Sequence, residues 1–287
     1  MSKFQIITDS CADLPAELVQ ELGLTVVPLS VEFRGKFYQE GVGLDIQELY
    51  AALRNGEDAK TAAANPEAWR SFMEPCLQQG QDVLVLAFSS GLSTTYQSAV
   101  IAAEELSGQY PEREIRVVDT LCASLGQGLL VWYACRKQQE GLTLAQTAAW
   151  VEENRLNLCH WFTVDDLMYL RRGGRISAAT AVVGTMLKIK PVLHVDNEGH
   201  LINVGKARGR KASIDALAAK VAELGLPGEN DTMFISHGDC IDDARYLEGL
   251  LREKYGVKQV VIHYVGCVIG SHSGPGTLAL FFLGKHR

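Results

Sequence analysis

Val83-Leu84-Val85-Leu86-Ala87 runs through Phe88 into Ser89-Ser90-Gly91-Leu92-Ser93-Thr94-Thr95-Tyr96, an apolar run that stops at a turn made of hydroxyls and one glycine. A short run of this kind, bounded by turn chemistry and followed by a helical pattern, reads as a buried strand feeding a helix that starts near Ser93. Phe4-Gln5-Ile6-Ile7, Thr25-Val26-Val27-Pro28-Leu29 and Ile115-Arg116-Val117-Val118 are equally short and apolar, and amphipathic stretches separate them. Strands alternating with helices predict an α/β fold, a parallel sheet with helices on its faces.

Working outward, Asp13 before Leu14-Pro15-Ala16-Glu17 and Asn65 before Pro66-Glu67 read as helix N-caps followed by an early proline. Residues 31–38 alternate around Arg34-Gly35-Lys36 and predict a hairpin beside the main sheet. A long helix is expected after Asp119, through Leu129 and Trp132, and another over 144–157. The second half repeats the α/β pattern, with strands near 191–195, 232–236, 259–264 and 278–282 and helices near 212–224 and 241–254. The 287 residues suit two domains, divided here as 1–157 and 158–287.

Composition narrows the function. A hydrophobic fraction of 47% supports a sizeable core, and a net charge of −7 argues against a general nucleic-acid binder, which needs surplus Lys and Arg. Seven cysteines without a C-x-x-C pair or zinc-type spacing read as reduced, buried thiols. The N-terminus runs into a strand rather than a signal peptide, and no apolar run approaches the roughly 20 residues of a membrane span. A cytoplasmic protein with no metal and no cofactor is expected.

Ligands of open parallel sheets lie outside the carboxyl ends of the strands. Three strands end in Thr8-Asp9-Ser10, in the 89–95 loop, and in Asp119-Thr120. Ser10 and Thr120 alone read as helix caps, whereas hydroxyls at 89, 90, 93, 94 and 95 exceed what one cap requires. The loop lacks the lysine of a P-loop and no G-x-G-x-x-G opens a helix, so a single carboxylate suits it better than a nucleotide. Ser90, Gly91 and Ser93 are therefore candidate ligand contacts.

In the second half, the run from Phe162 through Asp165-Asp166-Leu167 to Arg171-Arg172-Gly173-Gly174-Arg175-Ile176-Ser177 reads as an amphipathic helix leading into a basic diglycine turn. That turn can hold an anion or dock a partner, and it equally fits a C-cap whose arginines complement the helix dipole. Small residues over 178–184 predict a buried helix. Gly270-Ser271-His272-Ser273-Gly274-Pro275-Gly276 sets a histidine in a Gly/Ser-rich loop, so His272 and Ser271 are candidates; His237 reads as structural.

Taken together, Thr8-Asp9-Ser10, the 89–96 loop, the 162–177 segment and the 270–276 loop resemble, in order and spacing, the signature segments of the DegV family. The resemblance implies an N-terminal three-layer α/β/α domain, a C-terminal two-layer α/β domain and a long-chain fatty acid in a tunnel between them. It also implies similarity to FakB, the non-catalytic lipid-binding subunit of bacterial fatty acid kinase. Such a subunit exchanges lipid transiently with membranes and presents the carboxylate to an ATP-binding partner, FakA, which makes acyl phosphate for phospholipid synthesis. By motif, Ser93 and Thr61 would bond the carboxylate with His272 nearby, and Arg172 would lie where partner or phosphate approaches. Two departures stand out: Thr61 continues Ala62-Ala63-Ala64-Asn65-Pro66 where the family has Thr-Ser-Gln-Pro, and Thr94 stands where glycine is common. The competing reading is a hydrolase or acyltransferase with Ser93 as nucleophile, His272 as base and Asp119 as orienting acid; there is no G-x-S-x-G elbow. A lipid-sensing regulator would use the same pocket.

Overall fold

The computed structural model describes residues 4–177 and 189–287, so the helix expected over 178–184 lies outside the described residues. Strands β1 (Phe4–Asp9), β2 (Thr25–Val27), β6 (Asp82–Ala87) and β7 (Ile115–Asp119) form a wholly parallel sheet in the order β2-β1-β6-β7. The expected second strand is cut short at Val27 because Pro28 has no N–H to continue the ladder. The hairpin is present as β3 (Ser30–Phe33) and β4 (Lys36–Gln39), and an unexpected strand, β5 (Ala59–Ala62), pairs with β3 to make a small antiparallel sheet. That pairing sets Thr61 opposite Val31.

Helices cover both faces of the parallel sheet. On one side α2 (Ile46–Arg54), α3 (Pro66–Gln78) and α4 (Thr95–Gln109) bury Leu53, Trp69, Met73 and Ala99 against Ile7, Val83 and Val85. On the other, α5 (Leu125–Gln139) and α6 (Leu144–Asn154) pack Leu129, Val131 and Val151 on Ile6, Leu84 and Leu86. The Asn65-Pro66 signal is realised, with the Asn65 side chain accepting from the Ala68 N–H at 2.8 Å. The Asp13 signal is not. Helix α1 (Ala16–Glu21) starts behind Pro15, and Asp13 sits in the left-handed region at φ 51°, its carboxyl turned inward to accept from the Ser124 hydroxyl. Asp tolerates that conformation better than most side chains, so the buried bond is sufficient to hold it.

The second half builds a mixed six-stranded sheet from β8 (Leu158–Thr163), β9 (Ile189–Val195), β10 (Leu201–Arg208), β11 (Thr232–His237), β12 (Gln259–Tyr264) and β13 (Leu278–Leu283), in the order β10-β9-β8-β13-β11-β12. Helices α8 (Arg210–Leu224) and α9 (Ile241–Tyr255) cover one face through Leu217, Val221 and Leu247. The other face, with Phe162, Phe234 and Phe281, packs on Leu125 and Leu129 of α5. Strands β8, β11 and β13 are buried at every position, which explains the unbroken apolar run of β13 and the absence of alternation in all three. The amphipathic helix expected from Phe162 is replaced by the end of β8 and a five-residue helix, α7 (Met168–Arg172). A last short helix, α10 (Cys267–Ser273), carries the expected 270–273 loop residues. No helix among the described residues is long and apolar enough to cross a membrane.

Candidate functional site

A cavity of about 740 Å³ lies between the carboxyl ends of the parallel sheet and the inner face of the mixed sheet. That is the size and position expected of a small-molecule site in an α/β protein. Its wall is mostly apolar, with Leu29, Phe88, Leu92, Leu170, Val268 and Ile269 from loops and short helices and Phe162, Val195 and Phe281 on the mixed sheet. Polar groups concentrate at one end, where Thr61 from β5, Ser93 after β6, His272 from α10 and Arg175 from the turn after α7 all line the cavity.

The polar end is assembled by contacts between distant segments. Thr61 Oγ1 and His272 Nε2 are 2.7 Å apart across the two halves of the chain. Gly173 packs against the same imidazole so closely that a methyl there would sit 2.3 Å from Nδ1. Arg175 donates from Nε to the Leu92 carbonyl at 3.3 Å, bringing the guanidinium beside the turn that carries Ser93. Ser93 Oγ accepts from the Thr95 N–H at 3.2 Å and pairs with Thr95 Oγ1 at 2.8 Å, and α4 begins at Thr95 rather than near Ser93. Burial, followed by the neighbouring Arg175, pushes the His272 pKa down to about 4, so the imidazole is neutral at physiological pH. Arg175, its own pKa lowered by burial, is the cation of the cluster and has no acidic partner among the described residues. An anion is the complement such a guanidinium lacks.

Along β13, away from His272, the wall is aromatic and its imidazole is already bonded. Thr277 bonds back to the Ser273 and Gly274 carbonyls beside the His272 helix, and Phe281 lies four residues further along, about 13 Å at strand rise. There Phe281 stacks edge-on against His160 at 5.2 Å. His160 Nε2 accepts from the Ala123 N–H at 3.2 Å and Nδ1 faces the Leu158 carbonyl at 3.0 Å, an arrangement that fixes the proton on Nδ1. Burial holds its pKa well below the usual histidine value. With both nitrogens engaged, His160 presents an apolar ring to the cavity.

Of the remaining sequence candidates only Ser90 is in the cavity wall. Ser90 lines the cavity and its N–H donates to Asp119 Oδ1 at 3.2 Å. Gly91 is needed for a different close approach: a methyl there would meet the Glu198 carbonyl oxygen at 2.7 Å, in the turn between β9 and β10. Ser89 ties the same turn by donating to the Gly199 carbonyl at 2.9 Å. Ser10 Oγ accepts from the Leu29 N–H at 3.0 Å, and Ser271 Oγ donates to the Cys267 carbonyl at 2.7 Å, so neither hydroxyl lines the cavity. Asp9 ties the strand ends together by accepting from the Phe88 and Cys11 N–H groups, at 2.7 and 3.0 Å. Arg172 is exposed, paired with Asp58 at 2.7 Å and stacked on Tyr169. The arginine in the cavity wall is Arg175, which the sequence marked only as part of the turn. The hydrolase arrangement is not assembled, because His272 is bonded to Thr61, Ser93 to Thr95, and Asp119 to the Ser90 and Leu121 N–H groups. Among the described residues no cluster of three or more His, Cys, Asp or Glu could hold a metal. Of the seven cysteines, Cys76 and Cys240 are only half-buried.

These segments match known proteins across the chain. The family model described as "Uncharacterised protein, DegV family" matches residues 3–285. The chain belongs to the DegV family. This DegV chain is 44% identical over 289 residues to a DegV domain-containing protein of Clostridium perfringens, covering 100% of this chain and 99% of that one. Its fold superposes with a TM-score of 0.88 on a DegV family protein from Thermus thermophilus described for its fatty acid binding, at 34% identity, with 98% and 99% of the two chains covered. A DegV family protein from Ruminococcus gnavus, in a structure with vaccenic acid, aligns with a TM-score of 0.86 at 25% identity over 97% and 99% of the chains.

Proposed function

We propose that this DegV chain is a non-catalytic carrier that holds one long-chain fatty acid, tail in the cavity and carboxylate at the polar end. The observation that carries the reading is one largely apolar cavity lined together by Thr61, Ser93, neutral His272 and Arg175, a cation with no acidic partner among the described residues, while the His160 imidazole further along the wall has both nitrogens bonded. Each buried methylene contributes about 0.8 kcal/mol, and Arg175 with the hydroxyls offsets the cost of desolvating the carboxylate. The fatty acid and vaccenic acid bound by the two structural neighbours support the ligand class.

In this reading residues 1–157 and 158–287 are two domains that close on the ligand. A partner ATP-dependent fatty acid kinase of the FakA type phosphorylates the presented carboxylate in the cytoplasm for phospholipid synthesis. Arg172, exposed on α7, is the partner-facing candidate. The test is a titration with vaccenic acid: Ser93→Ala and Arg175→Met should each weaken binding at least tenfold while the chain still folds, and Arg172→Ala should leave affinity unchanged. Wild-type affinity in both cavity variants would refute the assignment.

A further inference from the structure

Asp13, shortly after β1, and Glu40, directly after β4, converge on one backbone position. A methyl on Gly266, the residue that caps α10, would sit 2.4 Å from Asp13 Oδ1 and 2.5 Å from Glu40 Oε1. Glu40 Oε1 accepts from the Val268 N–H at 2.8 Å, and Asp13 Oδ2 accepts from the Ser124 hydroxyl. The other oxygens, Asp13 Oδ1 and Glu40 Oε2, are buried with no partner of hydrogen-bond geometry. Among the described residues no lysine, arginine or histidine forms an ion pair with either carboxyl.

The groups facing the pair do not supply a compensating charge. They are Asp9 at the end of β1 and Cys11 just after it, the neutral Ser10 hydroxyl beside Glu40, Tyr50 on α2, Asp45 at its cap, Cys267 on α10 and His263 on β12, whose Nδ1 lies 2.9 Å from the Asp13 carbonyl. Arg175 reaches them only through Cys11. Two desolvated carboxylates this close cannot both be ionised, whereas one anion at the start of a helix is favoured.

We propose that Asp13 and Glu40 share one proton and act as a positioning pair, clamping the start of α10 and thereby holding His272, five residues on, against Thr61. Ionisation of the second carboxyl sets two negative charges against each other under Gly266 and loosens that grip. Burial raises both groups, Glu40 to about 7 and Asp13 well above the carboxylate range, in keeping with this arrangement. The inference rests on the carboxylate-anchoring role proposed for His272.

The experiment measures vaccenic acid affinity and melting temperature of the full chain between pH 6.5 and 9, for wild type, Glu40→Gln and Asp13→Asn. This window lies above the His272 titration near pH 4. Wild-type affinity should fall about tenfold or more across it, with the melting temperature falling in parallel, and Glu40→Gln should flatten both profiles. Asp13→Asn serves if Glu40→Gln fails to fold. Flat wild-type profiles, or equal slopes in wild type and both variants, overturn the pair. Absence of fatty acid binding at every pH sinks the carrier reading instead, and the melting profiles then still decide whether the pair shares a proton.

Discussion

Gly173→Ala isolates the position of His272 from everything else in the site. Gly173 has φ −70° and ψ −10°, ordinary right-handed values, so alanine meets no backbone strain and loses less conformational entropy on folding. The obstacle is steric: the new methyl would lie 2.3 Å from His272 Nδ1, 3.1 Å from Cγ and 3.3 Å from Cβ. Ordinary contact near 3.4 Å requires the ring to withdraw by about 1 Å, which pulls Nε2 away from the Thr61 hydroxyl now at 2.7 Å. A hydrogen bond to a charged partner contributes about 1.5–3 kcal/mol, so vaccenic acid affinity should drop roughly 10- to 150-fold. The melting temperature should fall, because crowding the ring and breaking the Thr61 bond outweigh the small entropic gain. Gly174→Ala is the contrasting control, since φ is +71° with nothing within 4 Å; it should lose about 1 kcal/mol of stability and keep its affinity. Affinity in Gly173→Ala within twofold of wild type, with Gly174→Ala the weaker binder, would refute the reasoning.

Two further outcomes follow from the geometry. Gly199→Ala places a methyl 2.1 Å from Ser89 Oγ at φ +80°; urea unfolding should show a loss of about 2 kcal/mol or more as the β9–β10 turn lifts from the 89–91 loop, and undiminished stability would dismiss that contact. His272 stays neutral in the fold down to about pH 4, while the unfolded chain protonates it near 6.5. Its contribution to stability is therefore present above about 6.5 and lost as the pH falls towards 4, and His272→Gln should shrink the wild-type stability difference between pH 7 and pH 4 by about 3 kcal/mol. Equal differences in the two proteins would argue against a buried neutral imidazole.

Much of the architecture is legible in the sequence because local patterns and tertiary demands agree there. The strand–helix alternation, the Asn65-Pro66 cap and the 31–38 hairpin each carry their own turn chemistry. Strand β8 is not legible, because Leu158-Cys159-His160-Trp161-Phe162-Thr163 shows no alternation and, unlike the apolar run of β13, is broken by His160. Strand β5 has four residues and exists only by pairing with β3, a contact made across a sequence gap. Within the site, local composition marked Ser93 and His272 as candidates and the family resemblance added Thr61, and the structure brings all three to one cavity. The choice among Arg171, Arg172 and Arg175 depends on which way a turn faces, and three cationic neighbours look alike until one is half-buried. Asp13 and Ser10 mislead for a related reason. A cap residue and a buried bonding group have the same short polar side chain, and only the neighbours Ser124, Leu29 and Gly266, all distant in sequence, distinguish them.

The most direct test of the carrier account is native mass spectrometry of the freshly purified chain. The account predicts a mass excess equal to one long-chain fatty acid, released intact and unesterified on denaturation and reduced in Arg175→Met. A chain that carries no lipid and stays empty after incubation with vaccenic acid, or that holds an acyl group covalently on Ser93, would contradict it.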